Sequence, residues 1–358
     1  MTASGLSLRY GSQLLQALRM TVSSLAAFAV AQTLGLPQAF WAVITALIVT
    51  QSNVGGSLKA AFDRFLGSVF GAVYGSAIAF AIPHEHGLAR AAALVAAVAP
   101  LSFLAAFSAG FRVAPITAII VLLSATGTNL GPFGFAADRV LEVGLGCAVG
   151  LLVSVLIVPA RASRLVLARA ARVAELLADQ LEALAQTEEQ GAAEMTALVV
   201  STRQTLSRLE TLVGEAARER SSRLADTPDP EPLLRTLMRL RHDVVMLRRA
   251  MREGGHAMRD PISRRWSHAA ATGAAALRDV GRALPEGRAP EPLDAVTAAV
   301  NDYRTSLDEA ARQQALPPDA AWRLFGAGFA LDQFRRDLTD LRERAQEFAS
   351  KSEKDVPG

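Results

Sequence analysis

Six apolar stretches fill the first part of the chain, at 14–34, 38–50, 65–82, 89–107, 113–126 and 140–158. A helix that crosses a membrane needs about 20 apolar residues, with a range of about 17–25. Four of the stretches meet that alone. The second and fifth are shorter and need flanking polar or glycine residues to complete a span. None shows the polar face that a buried helix of a water-soluble protein presents to solvent. The pattern predicts six membrane helices.

From residue 160 the period changes. Leu237, Leu240, Val244, Leu247 and Met251 step by three and four, as do Leu331, Phe334, Leu338, Leu341, Ala345 and Phe348. Val173, Leu177, Leu181 and Leu184 form a similar stripe. These are core-facing stripes of antiparallel helices. Breaks fall at Gly191, at 226–232, at Gly254–Gly255, around Pro285 to Pro292 and at Pro317–Pro318. Five or six helices and no strand are expected. The resulting division is a tail at 1–12, a six-helix membrane domain at 13–159, a helical domain at 160–350 and a disordered tail at 351–358.

Charge sharpens this division. The chain has 37 Lys+Arg and 34 Asp+Glu, but residues 1–159 hold only Arg9, Arg19, Lys59, Arg64, Arg90, Arg112 and Arg139 against Asp63, Glu85, Asp138 and Glu142. So few charges could hardly solvate a water-exposed fold of that length. A single soluble domain and an enzyme confined to the cytosol are both excluded. The later part balances its charges, so the net excess of +3 comes from the apolar part and says nothing of nucleic acid. Loop arginines and lysines mark the cytoplasmic side of membrane proteins. With the N-terminus inside, the inner segments carry Arg9, Arg19, Lys59, Arg64, Arg112, Arg161, Arg164, Arg169 and Arg172, and the outer ones only Arg90 and Arg139. Both termini are expected in the cytoplasm, in the inner membrane.

The membrane part repeats itself. Residues 42–49 read AVITALIV and 114–121 read APITAIIV; 63–75 read DRFLGSVFGAVYG and 138–150 read DRVLEVGLGCAVG. The offsets are 72 and 75. Three spans per repeat invert the second unit relative to the first, the plan of many transporters. Gly67, Gly71 and Gly75, with Gly146 and Gly150, put small residues at every fourth position, where two helices pack closely. They serve packing within one subunit or between two.

The chain carries neither a P-loop nor HExxH nor GxSxG, so no ATPase, zinc-protease or serine-hydrolase chemistry is indicated. The single cysteine, Cys147, excludes a disulfide framework. His84-Glu85-His86 in the outer loop lacks further ligands for a metal. No metal, cofactor or catalytic residue is expected.

Short spans at matching places in two repeats suggest broken helices with free backbone groups at a binding site. The polar groups there are Thr45, Gln51, Asn53, Thr117, Thr128 and Asn129, suited to a carboxylate, with Phe40 and Trp41 for an apolar ring. Ordinary loop chemistry after a helix end is the competing reading of that Gly- and Asn-rich stretch. Arg64 and Arg112 lie toward the cytoplasmic entrance and could attract an anion. Glu142, in the first turn of the sixth span, is either an interfacial helix-start charge paired with Arg139 or a protonatable carboxylate on a translocation path.

Residues 36–75, LPQAFWAVITALIVTQSNVGGSLKAAFDRFLGSVFGAVYG, resemble the signature of the fusaric acid resistance protein-like family, which includes aromatic acid exporters. The matching positions are Pro37, Trp41, Gln51, Gly55, Arg64, Gly67 and Gly71; Gly67-Ser68 stands where the family often has Gly-Thr. The resemblance covers residues 10–170. It implies an inner-membrane exporter of aromatic or related organic acids driven by the proton gradient. Many members have twice this length, which implies a homodimer here and leaves room for a periplasmic adaptor. The plan also resembles plant aluminium-activated malate transporters, which are dimeric anion channels. Three readings remain: an exporter, an organic-anion channel, and a membrane scaffold or sensor working through its later helices. The expected partners are a small organic acid, membrane lipid and a second copy, not nucleic acid.

Overall fold

A computed structural model describes residues 3–82, 87–124, 131–157, 162–185, 191–222, 227–252, 262–313 and 318–354. The chain divides into two compact units, residues 1–161 and 162–358. No strand occurs among the described residues.

The first unit holds α1 (Ala3–Thr33), α2 (Phe40–Val49), α3 (Val54–Ala81), α4 (Gly87–Phe107), a 3-10 turn (Ala109–Val113), α5 (Ala114–Ser124) and α6 (Gly131–Leu156). Four of these are long and apolar enough to cross a membrane, namely the 13–33 part of α1, then α3, α4 and α6, while α2 and α5 are shorter. At 1.5 Å per residue α3 is about 42 Å long and α2 about 15 Å, against a hydrocarbon core of about 30 Å. The break between α1 and α2 has a local cause. Gly35 adopts φ 65° and its neighbour Leu36 donates back to the Ala31 carbonyl at 3.1 Å, closing α1 with a left-handed cap. At the other end of α2 the Thr50 hydroxyl folds back on the Ala46 carbonyl at 2.8 Å, and Asn53 caps α3 by accepting from the Gly56 N–H at 2.7 Å.

Four boundaries differ from the hydropathy reading. Residues 3–12 are helical rather than a tail, and α12 below runs on to Lys354. α3 begins at Val54 rather than 65, and α6 at Gly131 rather than 140. Hydropathy registers only the apolar two-thirds of each helix. The polar first third pairs with itself or with protein, as in the Lys59–Asp63 ion pair at 2.5 Å. Asp63-Arg64, Asp138-Arg139 and Glu142 therefore lie well inside helices, not at loop–helix boundaries or in a first turn. Arg64 is the eleventh residue of α3 and Arg139 the ninth of α6.

The sequence repeat reappears in the packing, with the halves exchanged. Gly71 on α3 packs against Ala114 on α5, and a Cβ on Gly75 would meet the Ala118 Cα at 2.8 Å. Reciprocally, a Cβ on Gly146 of α6 would meet the Ala42 carbonyl of α2 at 2.5 Å, and one on Gly150 the Ala46 carbonyl at 3.0 Å. Ala42 and Ala114, and Ala46 and Ala118, are 72 apart; the glycine pairs are 75 apart. Two small apolar clusters correspond in three of their four members: Val49, Ala61 and Cys147 of one match Val121, Ala136 and Ala72 of the other. Each glycine thus lets one half's long helix touch the other half's short one.

The second unit holds α7 (Ala162–Ala185), α8 (Gly191–Ser221), α9 (Glu231–Arg252), α10 (Ile262–Glu286), α11 (Asp294–Arg312) and α12 (Pro318–Lys354). α7 packs against α8, α9 and α10, and α12 against α9, α10 and α11. The apolar stripes of α7, α9 and α12 pack in one core with Trp266 and Tyr303, Leu184 and Met251 only partly buried at its edge. A Cβ on Gly273 would lie 2.9 Å from the Phe334 ring, so α10 and α12 meet through that glycine. Arg278 on α10 grips Asp179 at 2.7 Å and Glu182 on α7, which raises the arginine's pKa and holds the Glu182 carboxyl below its ordinary range. One polar contact is less comfortable. Asp243 on α9 and Asp337 on α12 are 4% and 5% exposed, and Arg239 reaches Asp337 at 2.9 Å. Burial and the neighbouring Asp337 carboxylate push Asp243 up to about 8.

Candidate functional site

The first turn of α2 lies against the middle of α6. The Gln38 N–H donates to Glu142 Oε1 at 2.8 Å, and the Trp41 indole N–H donates to the Gln38 side-chain carbonyl at 3.0 Å. The Arg139 guanidinium stacks on Trp41, with its central carbon 3.5 Å from the ring centroid. Its Nη1 is 3.9 Å from Glu142 Oε2, and the two side chains are 3% and 2% exposed. Nε and Nη1 of Arg139 have no hydrogen-bond partner. On α3, Arg64 donates from Nε to the Thr45 hydroxyl at 3.3 Å.

Donors outnumber acceptors in this cluster. Glu142 is buried at 2% and spends one oxygen on a backbone amide. Its pairing with Arg139 is long. A buried N–H without a partner costs about 1–3 kcal/mol, and a buried charge is costlier still unless paired. Two guanidinium groups set among α2, α3 and α6 suit an anion whose oxygens accept what the protein leaves free. The Trp41 ring, with Phe40 stacked on it at 4.9 Å between centroids, offers an apolar face next to them.

The other buried arginine follows a different logic. Arg19 on α1 donates to the Ile157 carbonyl at 2.8 Å, just past the C-terminal end of α6, where a cation meets the negative end of the helix dipole. That is a structural tie between α1 and α6.

The repeat offsets expose where the two halves part company. Glu142 corresponds to Gly67, Trp41 to Val113, and Gln38 to Gly110. In the first half a Cβ on Gly67 would meet the Gly110 carbonyl at 2.6 Å, so backbone touches backbone. In the second half a glutamate reaches that backbone instead. Arg64 and Arg139 correspond to one another, as do Thr45 and Thr117, so the arginines and threonines are common to both halves.

The sequence-derived residues distribute unevenly. Thr45 and Arg64 join the cluster directly, with Trp41 and Glu142. Thr117 is 1% exposed and its hydroxyl is without a partner, as is that of Ser68 one turn beyond Arg64. Asn53 is occupied as the α3 cap. Gln51 is exposed and bonds back to the Ile48 carbonyl at 2.5 Å. Arg112 is exposed on the 3-10 turn, and Phe40 is half exposed. Thr128, Asn129 and His84-Glu85-His86 lie outside the described residues. Gly67, Gly71, Gly75, Gly146 and Gly150 all face neighbouring helices of the same chain. Arg139 and Gln38 were missed. The match of Arg139 to Arg64 in the repeated DR pair was the available signal, masked by assigning Arg139 to a loop.

The chain matches the model of the fusaric acid resistance protein family over residues 13–357, nearly its whole length. It belongs to that family and is a membrane protein. Comparison with curated proteins gave no match.

Proposed function

We propose that this member of the fusaric acid resistance protein family exports small organic acids, aromatic ones among them, across the inner membrane in exchange for protons. The observation that carries the reading is Arg139, buried in the membrane unit with two unpartnered N–H groups and joined by Arg64 in the same cluster. The reciprocal glycine contacts support two inverted three-helix repeats, six spans in all, with the anion path where they meet. Glu142 is the proton-coupling carboxylate, since it competes with an anion for Arg139. Both termini are cytoplasmic in this reading, and reporter fusions near Gly56 and Ala170 should read as inside. A second copy of the chain is part of this reading, although the glycine faces are filled within one chain.

Flux from liposomes tests this. Purified protein should move benzoate down its gradient and, with an imposed pH gradient, against it. Arg139→Gln and Arg64→Gln should each lower that flux at least about tenfold, as expected when one charge-assisted hydrogen bond to the anion is lost. Wild-type flux in both folded variants would sink the reading. Flux that ignores the pH gradient would make the protein a channel.

A further inference from the structure

The geometry points to a carboxylate subsite between Arg139 of α6 and Thr117 of α5, in the place that a direct protein–protein hydrogen bond fills in the other half. This rests on the anion-transport reading above and names the groups that take the anion's head.

The argument starts from what the two halves share. Val49 and Ala61 pack in one cluster, and their counterparts Val121 and Ala136 pack in the other. Four residues back from Val49 and three on from Ala61 stand Thr45 and Arg64, which are bonded at 3.3 Å. The same steps from Val121 and Ala136 lead to Thr117 and Arg139. By the repeat, these two should bond as well. They do not. Arg139 is drawn off by Trp41 and Glu142, the two residues that the first half replaces with Val113 and Gly67. Its Nε and Nη1 and the Thr117 hydroxyl are all left without partners at 3% and 1% exposure.

Among the described residues of the unit the other buried hydroxyls avoid that state, except that of Ser68. Thr50, Ser76 and Ser154 each donate to the carbonyl four residues back at 2.8 Å. Thr117 has no such bond. A carboxylate would satisfy both orphans at once, taking N–H donors from Arg139 and the O–H from Thr117, while Trp41 supports an apolar or aromatic body. The ligand class is therefore a small monocarboxylate. The first half, with its arginine and threonine already joined, has no such vacancy in its hydrogen bonding.

Equilibrium binding of benzoate to the full chain in mild detergent tests the assignment. Thr117→Val removes an unpartnered hydroxyl and keeps the shape, so the variant should fold with an unchanged or raised Tm. It should weaken benzoate binding about tenfold, the loss of one hydrogen bond to a charged group. Thr117→Ser should bind within about threefold of wild type, and benzyl alcohol, which lacks the carboxylate, should not distinguish Thr117→Val from wild type. Thr50→Val, which removes a buried hydroxyl outside the cluster, should change benzoate affinity less than about threefold. Unchanged benzoate affinity in Thr117→Val, or an equal loss in Thr50→Val, overturns the subsite. Wild-type anion flux alongside either result would leave the transport reading standing, whereas absent flux would overturn that reading itself.

Discussion

The guanidinium of Arg139 lies face-on to Trp41, 3.5 Å from the ring centroid, with both residues inside the membrane unit. A desolvated cation over an indole face gains about 2 kcal/mol. Trp41→Leu should therefore lower the unfolding free energy of the chain in mild detergent by about 1–2 kcal/mol, with Trp41→Phe intermediate. Thermal unfolding monitored by circular dichroism reads this. Equal stability in Trp41→Leu and wild type would mean that the stacking adds nothing.

Glu142→Gln keeps the side-chain shape and the bond from the Gln38 amide, but removes the charge facing Arg139. In a proton-coupled exporter it should abolish uphill transport of benzoate and leave downhill exchange measurable. Normal pumping with a normal pH profile in the Gln variant would place the coupling elsewhere.

Gly71 and Gly326 are both glycines in helices, with opposite expectations. A methyl group on Gly71 would run into the Ala114 backbone, which cannot yield without moving α5. Gly71→Ala should destabilise by about 1–3 kcal/mol, the usual cost of overpacking. Nothing lies within 4 Å of a Cβ on Gly326 in α12. There Gly326→Ala should stabilise by about 0.5–1 kcal/mol through helix propensity alone. Paired melting curves decide both.

The Asp243–Asp337 contact predicts a pH dependence of the second unit. Asp243 titrates near 8 when folded, against an ordinary value of about 3.9 when unfolded. Between those pH values the folded state holds a proton that the unfolded state has lost. Stability therefore falls as pH rises through this window, by at most about 1.4 kcal/mol per pH unit, and levels off above pH 8. Asp243→Asn cannot ionise and can donate to Asp337, so it should flatten the slope and raise stability most at the alkaline end. Chemical denaturation of the full chain at several pH values measures it. A slope unchanged by the substitution would refute the assignment.

Much of this protein was legible in its sequence because the signals are local and periodic. Apolar runs marked the membrane helices, and the three-four leucine steps of α9 and α12 marked core stripes that are buried in the structure, Met251 only partly. The repeat was also legible, since AVITALIV and APITAIIV keep their order at fixed offsets. What those signals lack is any measure of what a polar residue faces.

Tertiary structure decided the rest. Hydropathy averages over neighbours along the chain, so it cut α3 and α6 short at their polar first thirds and left Arg64 and Arg139 outside. Only the packing of helices from opposite halves puts a second protein surface against those thirds and makes buried arginines tolerable there. The glycine stripes announced close packing but not its partner, which proved to be α5 for α3 and α2 for α6. Whether an arginine meets its threonine or turns to a tryptophan depends on residues some hundred positions away, as Gln38 and Glu142 illustrate. No local pattern encodes that choice, because it is made by side chains competing for one cation in three dimensions.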